Sequence, residues 1–158
     1  AALGTEFSLE LWLKRSVAEN SDVVFSQWDG VASSEDFALL FNTSGSPTLF
    51  WLWATNTGAI ISSVNTGLTL ADNNWHHVVA YYNNGGGGIY IDGVFIGVVG
   101  TNSIINNSAI DLSIASYTNI GNASGIDTFP GELDEIAIYG FELTAQEVLE
   151  NYNKGIGI

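Results

Sequence analysis

Cysteine and methionine are both missing from this 158-residue chain, and lysine plus arginine number only 3 against 17 acids. Without cysteine there is no disulfide framework, no thiolate zinc site and no cysteine nucleophile. Lys14, Arg15 and Lys154 are the whole cationic complement, and the formal charge is −14. Nucleic acid is thereby excluded as a partner, because its binding needs Lys and Arg to displace counterions. Anionic membrane surfaces are disfavoured for the same reason. No run approaches the ~20 apolar residues of a membrane span, which excludes insertion by a helix. There is no initiator Met, and Ala1-Ala2-Leu3-Gly4 carries neither a basic region nor an apolar signal core. The expectation is a processed product or an excised domain.

Charged residues are 13% of the chain, about half the usual ~25%. The surface is therefore built mostly from Asn, Ser, Thr and Gly. So few bases leave much of the negative charge unpaired, which favours solubility and divalent cations. The length suits one domain spanning residues 1–158 with a sizeable core.

Strand patterns dominate. In Phe7 to Lys14 the residues alternate, with Phe7, Leu9, Leu11 and Leu13 on one face and Ser8, Glu10, Trp12 and Lys14 on the other. Further strands are predicted at Val23 to Gln27, Phe37 to Phe41, Thr48 to Ala54, Ala59 to Val64, Trp75 to Tyr82 and Gly88 to Ile91. Asn83, Asn84 and the four glycines that follow read as a flexible loop. Asp92-Gly93 between two apolar runs is the signature of a two-residue type I′ hairpin, leading into Val94 to Val99. Ile110 to Ile114 and Glu132 to Tyr139 complete the set. Thr144 with Glu147 forms a capping box, with Leu143 and Val148 at the staple positions, for one short helix that fades by Gly155. The pattern predicts an all-β fold, a two-sheet antiparallel sandwich with one short C-terminal helix.

Five segments in order carry a family resemblance: Phe7 to Leu13, Trp75-His76-His77-Val78-Val79, Ile89 to Gly93, Ile120-Gly121, and Pro130 to Tyr139 followed by Leu143-Thr144. Together they resemble the laminin-G-like and pentraxin group of the concanavalin-A-like jelly rolls. The resemblance implies a jelly-roll sandwich, but a fold of this kind serves glycan binding, adhesion and surface assembly alike. It also implies a further strand upstream of Phe7, where only six residues precede. The chain is thus expected to have been cut, or to leave a sheet edge for a second copy or a strand-complementing partner.

Laminarinase-type glycosidases share this fold and carry carboxylates at i, i+2 and i+4 or i+5 of one strand. Glu132 and Asp134 match the first two places, but Ile136 and Ala137 occupy both candidates for the third. Half of the acid–nucleophile pair is missing, so no enzyme is expected. No Gly-x-Ser-x-Gly elbow occurs, and no motif ties His76 or His77 to an Asp. Alternation sends the two histidines to opposite faces, each expected to be satisfied structurally.

Trp51 and Trp53 share a face with Leu49, while Phe50 and Leu52 share the other. The two tryptophans are therefore either inter-sheet core or a sugar-stacking strip. Trp75 reads as core. Trp28, beside Asp29, reads as exposed, and Trp12 as a groove-lining residue between Glu10 and Lys14. All four of Trp28, Trp51, Trp53 and Trp12 are ligand-binding candidates, since aromatic faces suit sugar rings.

Calcium is the one cofactor invited. It takes six to eight oxygens from irregular loops. The pentraxin resemblance implies ligands just before Phe37, here Glu35 and Asp36, and in the loop Asn122 to Asp127. Asp127 joins the first pair as a metal candidate, with Asp29 and Asn122 behind. The expected function is a non-catalytic recognition module, extracellular, on a cell surface or on a virion surface, binding a glycan or a protein. The alternative is a structural surface domain whose role is assembly.

Overall fold

The computed structural model describes residues 3–18, 22–27, 37–42, 47–54, 60–84, 86–100, 111–116 and 128–155. Its elements are β1 (Phe7–Arg15), β2 (Asp22–Gln27), β3 (Phe37–Asn42), β4 (Thr48–Ala54), β5 (Ile60–Asn65) and β6 (Trp75–Asn83). They continue with β7 (Gly86–Ile91), β8 (Val94–Val99), β9 (Ser113–Ile114), β10 (Gly131–Tyr139) and the helix α1 (Ala145–Gly155). Two five-stranded sheets result, in the orders β10-β1-β6-β7-β8 and β5-β4-β3-β2-β9. Every pairing is antiparallel. This is the expected sandwich.

The period-2 pattern of β1 explains its place inside the first sheet, between β10 and β6. Phe7, Leu9, Leu11 and Leu13 point inward and are almost wholly buried, against Phe25, Phe37, Leu39 and Trp51 of the second sheet. The Trp51 indole N–H donates to the Tyr81 carbonyl at 3.0 Å, tying one sheet's side chain to the other's backbone. Arg15 closes one end of the core. Its guanidinium is buried against Asp22 at 3.0 Å and lies 3.9 Å from the centre of the Phe41 ring.

Three sequence expectations are corrected. The glycine run is not a loop beyond Gly85, because Gly86 to Gly88 pair with Asn83 to Tyr81 as the start of β7. Side chains are absent there because neighbours fill the space: a Cβ on Gly87 would stand 2.9 Å from the Trp53 ring. Trp75 is only partly buried. It shares the outer face with Lys14, whose ammonium lies 5.7 Å from the Trp75 ring. Of the strand expected over Ile110 to Ile114, Ser113 and Ile114 are paired, Asp111 and Leu112 are not, and Ile110 lies outside the described residues.

The Asp92-Gly93 turn forms as expected, with φ of 51° and 75°. The helix begins on its capping box. The Thr144 N–H donates to Glu147 Oε2 at 2.8 Å and the Glu147 N–H donates to Thr144 Oγ1 at 3.3 Å. Leu143 and Val148 are buried as the staple requires. Among the described residues, no helix is long and apolar enough to cross a membrane.

Candidate functional site

The outward side chains of β1 are Ser8, Glu10, Trp12 and Lys14, and the first three are nonetheless buried. Helix α1 and the segment leading to it cover them. Val148 and Leu143 pack on Val79, Tyr81 and Tyr90 of the first sheet. Ser8 fastens the approach to the helix: its hydroxyl donates to the Phe141 carbonyl at 2.9 Å and accepts from the Leu143 N–H at 2.9 Å.

Glu10 is the hub of this layer. His77 Nε2 stands 2.8 Å from Oε1, while the Tyr139 hydroxyl donates to Oε2 at 2.6 Å and the Asn151 amide at 3.2 Å. Burial pushes the Glu10 carboxyl up, but the bonds from His77, Tyr139 and Asn151 together outweigh it and hold the group below its ordinary value. The bond to Glu10 in turn raises the Tyr139 phenol to about 12. The ionised Glu10 assigns the proton of His77 to Nε2. Nδ1 is buried and has no hydrogen-bond partner among the described residues. Rings pack beside this network: Trp12 stacks with Tyr152 at 5.8 Å and lies tilted against His77 at 5.1 Å.

Between the network and the end of α1 lies a pocket of about 270 Å³, lined by Glu10, Trp12, His77, Tyr139, Asn151 and Gly155, with Glu135, Ala137 and Lys154. Glu135 reaches it from an irregularity in the β1–β10 pairing opposite Glu10 and Trp12. Its φ is 51°, a left-handed conformation uncommon for a residue with a side chain. The Asp134 carboxylate supports that bend by accepting the Glu135 N–H at 2.8 Å.

A second cluster lies on the other face of β6. Nδ1 of His76 is 2.8 Å from Asp92 and Nε2 is 3.1 Å from Asp72. A neutral imidazole donates from one nitrogen only, so both carboxylates are satisfied by the imidazolium. Its pKa is raised accordingly, chiefly by the bond to Asp92, which prevails over burial. Asp72 is lowered to about 2, first by the side-chain and backbone bonds of Asn74. A cleft of about 340 Å³ adjoins them, walled by Leu68, Leu70, Ala71 and Ile91.

The ligand-binding candidates divide. Trp51 and Trp53 are fully buried between the sheets. Their face of β4 looks toward Phe7 and Tyr82, so the sugar-strip alternative is corrected to inter-sheet core. Trp12 does line a pocket, but with 6% of its surface exposed it is a wall under Gly155 rather than an open platform. Trp28, Asp29, Glu35, Asp36, Asn122 and Asp127 lie outside the described residues. Among the described residues, no group of three or more His, Asp or Glu is placed to hold a metal ion.

Of the strand compared with glycosidases, Glu132 pairs with Lys14 at 3.0 Å. The expectation that no Asp accompanies the histidines is corrected by Asp72 and Asp92. Glu10, Tyr139 and Asn151 were not singled out for a site by the sequence. Glu10 meets its partners across 67, 129 and 141 residues. Its one local signal is a carboxylate in the middle of a strand flanked by apolar residues.

Comparison with known proteins places the fold. No curated protein sequence matches the chain. Among solved structures, it is similar to a Bacteroides ovatus protein described as carbohydrate-binding, with TM-score 0.71 and 18% identity over 92% of this chain and 40% of that one. It is similar to domain 4 of AbnA, an extracellular GH43 arabinanase of Geobacillus stearothermophilus, in complex with arabinotriose. There the TM-score is 0.65 and the identity 17%, over 92% of this chain and 66% of that one. It is also similar to the binding domain of Paraclostridial Mosquitocidal Protein 1, with TM-score 0.69 and 18% identity over 97% of this chain and 38% of that one. The chain thus spans about two fifths of the first and third of these and about two thirds of the second. A laminin-G-type family model matches residues 1–149. With the strand order and the five ordered motifs, that match makes the chain a member of the concanavalin A-like lectin/glucanase superfamily.

Proposed function

We propose that this chain is a non-catalytic recognition module that binds glycans outside the cell. The observation that carries the reading is the pocket of about 270 Å³ beneath α1, which brings carboxylates, a carboxamide, an ammonium and an indole edge together. Sugars need this combination, hydroxyls being donors and acceptors at once while the ring offers apolar C–H surface. Catalysis would need a carboxyl held protonated near neutral pH. Glu10 is held the opposite way, below its ordinary value, and is occupied by three neighbours. The arabinotriose complex and the carbohydrate-binding description of similar folds support the reading.

Calcium assistance belongs to the same proposal. It rests on Glu35, Asp36 and Asp127, with Asp29 and Asn122, as sequence positions. A glycan array followed by calorimetric titration tests the proposal. Saturable sugar binding without turnover of laminarin is expected. Turnover abolished by Glu132→Gln would overturn the non-catalytic reading.

A protein partner is the second reading, and β8 favours it. This edge strand exposes Val94 at 61%, Phe95 at 47% and Val98 at 55%. Exposed apolar residues on a sheet edge invite a further strand. A self-association that Val98→Lys abolishes, with no sugar bound, would move the function from glycan recognition to assembly.

A further inference from the structure

We infer, on the reading of the pocket as a glycan site, that its ligand is an uncharged sugar held between Lys154 and Glu135. The chain has 3 bases and 17 acids. Two of the bases are spent within the fold: Lys14 pairs with Glu132 at 3.0 Å and Arg15 with Asp22 at 3.0 Å. Lys154 is the third, and it makes no ion pair among the described residues. Its ammonium has a single long contact, 3.5 Å from Asn151 Oδ1, and it lines the pocket. An ammonium offers three donors, so most of its capacity faces outward.

Glu135 complements it. Its carboxylate makes no hydrogen bond or ion pair among the described residues, and it lines the same pocket. Its left-handed backbone, φ 51°, is strain that an ordinary surface position would shed by glycine. Glu10, by contrast, is buried and already met by His77, Tyr139 and Asn151. The pocket's rim therefore presents one unspent donor, Lys154, and one unspent carboxylate, Glu135, over a Glu10 that is already saturated. A sugar hydroxyl accepts from the first while its neighbour donates to the second.

Charge sets the class of sugar. Lys154 is offset by Glu135 and Glu10 within the pocket, and the chain around it carries −14. A uronic acid or sialic acid would enter against this field, whereas a neutral ring meets no such penalty. The volume, about 270 Å³, lies just below the roughly 300 Å³ at which drug-sized sites begin, and suits a terminal ring rather than a long chain.

The test is calorimetric titration of the whole chain with arabinotriose, laminaritriose and maltotriose against sialyllactose and trigalacturonic acid. At least one neutral sugar should bind, with the acidic ones weaker by about tenfold or more. Lys154→Ala and Glu135→Gln should each weaken it about tenfold, and Lys14→Ala, outside the pocket, should not. Glu135→Gly should raise the melting temperature while lowering affinity, a split that a purely structural residue would not give. Acidic sugars binding best would overturn the inference but keep the glycan reading. Neutral binding indifferent to Lys154 and Glu135 would overturn the site. No binding to any of the five would overturn both.

Discussion

The indole of Trp53 lies so close over Gly87 that a Cβ on the glycine would stand 2.9 Å from ring carbons and 2.7 Å from the Tyr81 carbonyl. Neither neighbour has room to withdraw, since Trp53 is fully buried and Tyr81 is in the ladder. Gly87→Ala should therefore destabilise the fold by about 1–3 kcal/mol through overpacking. Gly140→Ala, where a Cβ meets nothing within 4 Å, is the control. Denaturant melts of the two variants check this, and an unchanged Gly87→Ala would refute the packing argument.

Removing Glu10 leaves three inward-facing groups without their acceptor. Glu10→Ala should lose about 3 kcal/mol. The sign of its pH dependence follows from the lowered pKa. The contribution is complete above the ordinary value of 4.5 and is lost as pH falls through the depressed folded value. Acid unfolding of the native chain should be steeper there than that of Glu10→Gln.

His76 behaves in the opposite sense. Its raised pKa means that the clasp on Asp92 and Asp72 is fully present below the ordinary value of 6.5 and is lost as pH rises through the folded value. Stability should thus decline as pH rises above 6.5 and through the raised folded value, and His76→Asn should flatten that decline. Proton-detected titration of the imidazole measures the folded pKa directly. A value at or below 6.5 would refute the clasp.

Calcium bound by folded loops stabilises by mass action, about 2.7 kcal/mol at a hundredfold excess over the dissociation constant. Chelator should lower the melting temperature of the native chain, and added calcium restore it. Asp36→Ala should respond to neither. Magnesium should substitute poorly, because it demands tight octahedral geometry. A native melt indifferent to chelator would remove calcium from the proposal.

The fold was legible because its signals are local. Alternation in β1, the Asp92-Gly93 turn and the Thr144–Glu147 box each lie within a few residues, and each formed as read. The glycine run misled because its meaning is tertiary: Gly87 is small on account of Trp53, on the other sheet. Trp75 misled because the first position of β6 falls on the outer face, opposite Lys14. The site was illegible for a related reason. Glu10 meets His77 only once the β1–β6 register sets Trp12 opposite His77, and it meets Asn151 only once the helix is seated. Nothing within a window of sequence encodes that register.

The position of β1 between β6 and β10 has a consequence for synthesis. β2 to β5 are successive neighbours and zip up as they emerge from the ribosome. They then display Trp51 and Trp53 on an uncovered face. β1 precedes them in sequence, yet its pairing is completed late: β6 supplies one neighbour, and Ser8 finds Tyr139 only when β10 has been made. Such distant pairing makes folding slow and leaves a sticky half-sandwich during translation. Until β10 is made, one edge of β1 stays open, so the half-sandwich exposes an unpaired strand as well as apolar surface.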